Sequence, residues 1–241
     1  MPKRESLRQA VPEPVKKILR PIRNRLVGKH SAELSFWKGR LKREKGRFVN
    51  SHYERIMLAM AEESDQRFIA EKVVADFGCG PRGSLAWAQS ASMRIGIDVL
   101  SDRYADEFRE NLLSHDMVYL KSTEKVIPLP TGFVDVMFSL NALDHVDDFA
   151  TMCSEIVRVL RPGGAFIGSF NLEEPITACE PQSLSERTIQ ENLLDSLAVK
   201  SYRISTAGPD GDRYAPFFEG NLRYEPGQMG FLWVRAHKNG S

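Results

Sequence analysis

The sequence predicts an α/β fold: a doubly wound, mostly parallel sheet of seven strands, helices on both faces, and an antiparallel C-terminal hairpin strand. Three observations predict it. From Val73 onward, short apolar runs alternate with segments of helical periodicity, the pattern of right-handed crossovers between parallel strands. A glycine-rich turn, Asp76-Phe-Gly-Cys-Gly-Pro-Arg-Gly83, follows the first of those runs. The last two runs are joined without a helix signal, so one of them runs against the rest.

The elements follow in order. Leu34, Trp37 and Leu41 recur at helical spacing after Ser31, which predicts a helix capped by that serine, with Glu33 and Glu44 toward its two ends. Tyr53–Ala61 is a stronger helix, with Ile56, Met57 and Met60 on one face. Val73–Phe77 is the first strand, Leu85–Ser90 starts a helix, and Arg94–Asp98 is the second strand. Met117–Leu120 and Phe133–Leu140 are the third and fourth. Phe149, Met152, Ile156 and Leu160 mark a helix that Arg161-Pro-Gly-Gly164 ends in a turn. Gly164–Phe170 is the fifth strand. Ser183-Leu-Ser-Glu186 has the form of a capping box before a helix from Glu186 to Leu194. Val199–Thr206 and Gly230–Ala236 close the sheet, separated by a long Gly/Pro-rich segment without a helix signal.

Composition sets the frame. The chain has 241 residues, 42% hydrophobic and 27% charged, which suits one soluble domain with an appendage. Residues 1–47 form the appendage, a basic and partly helical extension, and residues 48–241 the domain. The formal net charge of +1 excludes no class of partner over the whole chain. From Pro2 to His30, however, nine Lys and Arg residues face two acids, and Pro12, Pro14 and Pro21 cut this arm into short pieces. Three readings of the arm stay open: a solvated tail, a peripheral contact with an anionic membrane through its Ile/Leu positions, or nucleic-acid binding. The last is the least supported, because no aromatic-rich basic face accompanies it beyond Phe36 and Trp37. Cys79, Cys153 and Cys179 are odd in number and lack metal-ligand spacing, which points to a reducing cytoplasm and to no zinc site. No apolar run approaches a membrane span.

Glycines after a buried strand allow a sharp turn and a close approach to a ligand. Asp76–Gly83 therefore reads either as a cofactor loop or as a tight turn without a ligand. Asp98, at the end of the second strand, suits hydrogen bonding to ribose hydroxyls. Loop and acid together point to an adenosine-bearing cofactor, which includes both NAD and S-adenosylmethionine.

Four segments carry a family resemblance: VVADFGCGPRG, IGID, STEKVIPLPTGFVDVMFSLNALDHVDD and EIVRVLRPGGAFIGSF. In this order, over about Val73 to Phe170, they resemble class I S-adenosylmethionine-dependent methyltransferases of the small-molecule type, whose fold is Rossmann-like. DFGCGPRGSL with SLNALDHVDD resembles the bacterial members associated with glycan biosynthesis. The resemblance implies that Asp76, Gly78 and Gly80 hold the methionine part of S-adenosylmethionine. It places Asp98 on the ribose, Val99 beside the adenine, and Thr123 and Glu124 near the adenine edge. Arg82 stands where the family often has another loop glycine, and Gly83, one place later, is grouped with the cofactor loop. Arg82 then meets the cofactor carboxylate or faces solvent. Asn141, ending the fourth strand, contacts the methionine moiety or caps the strand.

The implied reaction transfers a methyl group to a small-molecule or glycan acceptor, at oxygen. His145, just past the fourth strand, is the candidate base, against a reading in which it packs under the cofactor or caps the next helix. Acceptor contacts are expected from His52, Tyr53, Asn171, Glu173 and Glu174, and from a lid carrying Arg213, Tyr214, Phe217 and Phe218. Two rivals remain. One is a non-catalytic cofactor-binding or membrane-attached scaffold. The other is a nicotinamide-dependent oxidoreductase, which the tail hairpin and the missing Tyr-x-x-x-Lys pair disfavour.

Overall fold

The computed structural model describes residues 28–177, 179–208 and 211–240. The basic arm before residue 28 lies outside the described residues. Helices α1 (Lys29–Arg43) and α2 (His52–Ala61) precede the sheet, and α3 (Ser101–Glu107) and α4 (Arg109–Leu113) lie between its second and third strands. Its seven strands are β1 (Val73–Phe77), β2 (Met93–Asp98), β3 (Val118–Lys121), β4 (Val134–Leu140), β5 (Leu160–Leu172), β6 (Leu197–Ser205) and β7 (Gly230–Lys238). They lie in the order β3-β2-β1-β4-β5-β7-β6. All pairs from β3 through β5 are parallel, and β7 runs antiparallel to both β5 and β6.

The order reverses between β1 and β4, so a crevice opens at their carboxyl ends. Alternation along the strands fills two cores. Ala75, Ile95 and Ile97 face α5 (Phe149–Val159) through Met152, Cys153 and Ile156. Val74, Val136, Phe138 and Trp233 face α2 through Ile56, Met57 and Met60. Each such fully buried side chain contributes about 1.5–3 kcal/mol, so α2 is bound to the sheet by its apolar face. Among the described residues, no helix is long and apolar enough to cross a membrane.

Five local expectations differ from the structure. Helix α1 starts two residues before Ser31: Gly28, at φ 78°, turns the chain into it without a side-chain cap. Leu85–Ser90 starts no α-helix. Gly83 is left-handed, and Ala86, Ala88 and Ala91 each bond three residues back, so the segment stays in turns. The sheet face there is covered instead by α2, whose Met57 Sδ accepts from Trp87 Nε1 at 3.3 Å. Arg161–Gly164 is not a turn before β5 but a bulge within it, because Val134 pairs with Leu160 and Val136 with Ala165. The helix α6 (Glu186–Asn192) is capped by Ser185, not Ser183: the Ser185 hydroxyl accepts from Thr188 N at 3.1 Å. The long segment before β7 holds one helical turn, α7 (Ala215–Phe218), started by Pro216 at its first positions.

Candidate active site

A cavity of about 910 Å³ opens at the carboxyl ends of β1, β2 and β4. Its walls come from the turn after β1 (Gly78, Cys79), the end of β2 (Asp98, Val99), the turn after β3 (Ser122, Thr123, Glu124) and the end of β4 (Asn141, Ala142, His145). The volume is near the upper end for small-molecule sites, with room for a cofactor and a second ligand.

The turn after β1 is pinned from both sides. Gly78 N and Cys79 N donate to Ile97 O at 2.8 and 3.3 Å, and Gly80 N donates to Asp98 Oδ2 at 3.0 Å. Asp98 Oδ1 accepts from Leu100 N at 2.9 Å. The three glycines are required for packing as well as for backbone shape. Gly78, Gly80 and Gly83 all have positive φ. A Cβ on Gly78 would lie 2.2 Å from the Ala142 Cβ, and one on Gly80 would lie 2.7 Å from the Trp37 ring. At Gly83 it would meet the His115 ring at 2.4 Å. Gly83 packs on that buried histidine and is absent from the cavity wall.

Asp76 sits behind the turn, 3% exposed, with Oδ2 accepting from Ser84 Oγ. Its Oδ1 is buried without a hydrogen-bond partner. Burial pushes the Asp76 carboxyl up to about 7, against the Ser84 hydrogen bond. Asp98 is likewise pushed up to about 7, first by burial and then by Glu33, while the Leu100 and Gly80 N–H groups oppose the rise. Asn141 holds a left-handed backbone at φ 46°, and its Oδ1 is buried and unpartnered. Strain of this kind costs on the order of 1 kcal/mol and concentrates at functional positions.

Glu124 receives Lys29 and His30, each at 3.5 Å. Thr123 shapes its own turn, its hydroxyl accepting from Val126 N at 2.9 Å. His145 ends a 3₁₀ turn, and its Nε2 lies 3.9 Å from Asp144 Oδ1. Asp144 is 3% exposed; burial raises its pKa and His145 pulls it back. Asn171 ties this end together. Its Nδ2 donates to Asp144 Oδ2 at 2.9 Å and Glu174 Oε2 at 3.1 Å, and its Oδ1 accepts from Arg213 Nη1 at 3.2 Å. Glu174, Arg213 and Tyr53 line the cavity beside Thr177, Glu180 and Phe231.

Several expected contacts fall elsewhere. Arg82 meets neither solvent nor the cavity. It is 7% exposed, with Nη2 donating to Glu44 Oε1 at 2.9 Å and to Val49 O, so it straps the end of α1 to the glycine turn. Tyr214 and Phe217 form no lid: Phe217 stacks on Trp233 at 4.2 Å and Tyr214 lies 5.8 Å from the same ring. His52 and Glu173 are absent from the wall. Sequence reasoning missed the α1 contribution, Lys29, Glu33, Phe36 and Trp37, whose one-face spacing was the available signal.

A family model described as a methyltransferase domain matches residues 75–168, the strands and turns that build this wall. Residues 75–168 thus match a methyltransferase domain, and the sheet around them has the fold of solved S-adenosylmethionine-dependent methyltransferases. A malonyl-[acyl-carrier protein] O-methyltransferase of Enterobacter lignolyticus is 30% identical over 92 residues, 38% of this chain and 36% of that protein. In that relative and two further curated ones, the shared stretch spans 36% to 58% of their length. Two solved structures share the fold. An S-adenosylmethionine-dependent methyltransferase from Mesorhizobium loti superposes with a TM-score of 0.55 at 18% identity, covering 75% of this chain and 96% of that one. The [4+2]-cyclase SpnF gives 0.57 at 20% identity, covering 78% and 81%.

S-adenosylmethionine fits this cavity. Asp98 offers a carboxylate at the wall, and Asn141 Oδ1 and Trp37 Nε1 are buried polar atoms without partners at its edge. Gly78 presents backbone there with no side chain in the way.

Proposed function

We propose that this protein transfers a methyl group from S-adenosylmethionine to an oxygen of a small-molecule or glycan acceptor, with His145 as the base. When bound, the cofactor supplies an electrophilic methyl group. The protein's remaining tasks are alignment, exclusion of water and disposal of the acceptor's proton. Asp98 accepts from the ribose hydroxyls and Val99 packs beside the adenine. Asn141 Oδ1 accepts from the ammonium of the methionine moiety, which satisfies its buried oxygen. Thr123 and Glu124 border the adenine edge.

One observation carries the choice of base: His145 stands in the cavity wall past β4, with its Nε2 3.9 Å from the buried Asp144 carboxylate. Nε2–H faces Asp144, which leaves Nδ1 to take the acceptor's proton. Asp144, held by Asn171, then stabilises the imidazolium. The O-methyltransferase named among the relatives supports oxygen as the methylated atom. The test is His145→Ala with labelled S-adenosylmethionine and a panel of hydroxyl and carboxyl acceptors. Turnover should fall by about 100-fold or more, with S-adenosylhomocysteine binding unchanged. Unchanged turnover would remove the base role.

A further inference from the structure

Helix α1 turns one face to the cavity. Lys29, Ala32, Glu33, Phe36 and Trp37, at intervals of three and four residues, all line it. Leu34, Trp37 and Leu41 of the same helix pack on a cluster with Val99, Leu100 and Tyr104, just past the end of β2, where Asp98 and Val99 line the same cavity. The helix is fastened along its length. Lys29 Nζ pairs with Asp147 Oδ1 at 2.8 Å and Lys38 Nζ with Glu107 Oε1 at 2.6 Å. The Trp37 ring lies edge-on to Phe48 at 6.0 Å and covers Gly80.

Within this face Glu33 is set in place. Its Oε1 accepts from the hydroxyl of Tyr104 at 3.1 Å, and Tyr104 is fully buried. The arrangement brings a second carboxylate to the end of β2. Asp98 already spends one lone pair of each oxygen on Gly80 N and Leu100 N. Glu33 and Asp98 line the same cavity, with Glu33 tied to Tyr104 six residues past Asp98, and burial first and the Glu33 charge second raise the Asp98 pKa. Such a pair is costly unless hydrogen-bond donors are placed between its members. A vicinal diol offers two O–H donors on adjacent carbons, one for each acid.

We propose that Glu33 is a ribose-binding residue that shares the 2′,3′-diol of the cofactor with Asp98, which makes α1 part of the cofactor site. The inference rests on the cofactor reading above. It makes α1 a selective element: the helix closes the adenosine end through a contact that requires both hydroxyls. Tyr104 is the positioning residue that aims the Glu33 carboxylate.

The experiment titrates the full chain with S-adenosylhomocysteine, adenosine and 2′,3′-dideoxyadenosine. The wild type, Glu33→Gln and Tyr104→Phe are compared, with thermal melting of each without ligand. Glu33→Gln should weaken adenosine and S-adenosylhomocysteine by about tenfold and leave dideoxyadenosine within about twofold of wild type. Tyr104→Phe should shift the same two ligands in the same direction by less. Equal losses for adenosine and its dideoxy form would overturn the inference, because α1 would then act only as a roof. Wild-type affinity in Glu33→Gln would overturn it as well. If the wild type binds none of the three ligands, the cofactor reading itself fails and the inference falls with it.

Discussion

The two halves of the cavity are built by different means. The cofactor half comes from strand ends: Gly78 after β1, Asp98 and Val99 at β2, Ser122 to Glu124 after β3, and Asn141 after β4. Parallel register holds these positions, with Asp76 opposite Gly96 and Phe138, and Asp98 opposite Lys121. The half proposed for the acceptor comes from segments distant in sequence: Glu174, Thr177 and Glu180 after β5, Ala207, Gly211 and Arg213 after β6, and Met229 to Phe231 entering β7. Side-chain bonds around Asn171 hold part of that half together. A half set by sheet register changes little among proteins that share the sheet. A half set by connections varies more, and the proposed function assigns acceptor choice to it.

The largest expected effect tests whether the tail connection belongs to the core or to a movable cover. Phe217 is 6% exposed and stacked on Trp233, with the Arg203 guanidinium 4.8 Å from its ring. Phe217→Ala should cost about 3–5 kcal/mol of stability, read by denaturant unfolding. A loss below about 1 kcal/mol would return this aromatic to a lid. The His145→Ala experiment divides the two halves functionally, since it should lower turnover while cofactor binding stays.

A smaller effect probes the buried acid beneath the cofactor half. The Asp76 carboxyl is raised from 3.8 to about 7 in the fold. A carboxyl raised by folding stabilises below its unfolded value, and that contribution is lost as pH rises through the folded value. Wild-type protein should therefore lose stability relative to Asp76→Asn between about pH 4 and pH 7, by a few kcal/mol at most. Paired denaturation curves at pH 5 and pH 8 measure the difference. A gap independent of pH would contradict the buried-acid account.

Most of the sheet was legible because each buried strand is a short apolar run closed by a breaker or a charge, as in Val73–Phe77 before Gly78. The strand-end part of the cavity wall was legible for the same reason: Gly78, Asp98 and Asn141 sit where strands end. What was not legible depended on contacts between distant elements. Ala86, Trp87 and Ala88 favour helix locally, yet the left-handed Gly83 and the packing of Leu85 and Trp87 beside α2 hold them in turns. Arg82 gave no sign that Glu44, thirty-eight residues earlier, would claim it. The docking of α1 was hidden likewise, because Glu33 and Trp37 meet partners from the β1 turn and beyond β2. The Ser31 cap failed by three residues and the Ser183 cap by two, since Gly28 and Ser185 offered the entry geometry.

The central claim is that the β1–β2 end of the cavity binds the adenosine of S-adenosylmethionine. Calorimetric titration with S-adenosylhomocysteine, beside NADH and an Asp98→Ala variant, tests it most directly. The account predicts saturable binding of S-adenosylhomocysteine, no binding of NADH, and affinity reduced at least about tenfold in the variant. Absence of S-adenosylhomocysteine binding to the wild-type chain, or equal binding by the Asp98→Ala variant, would contradict it.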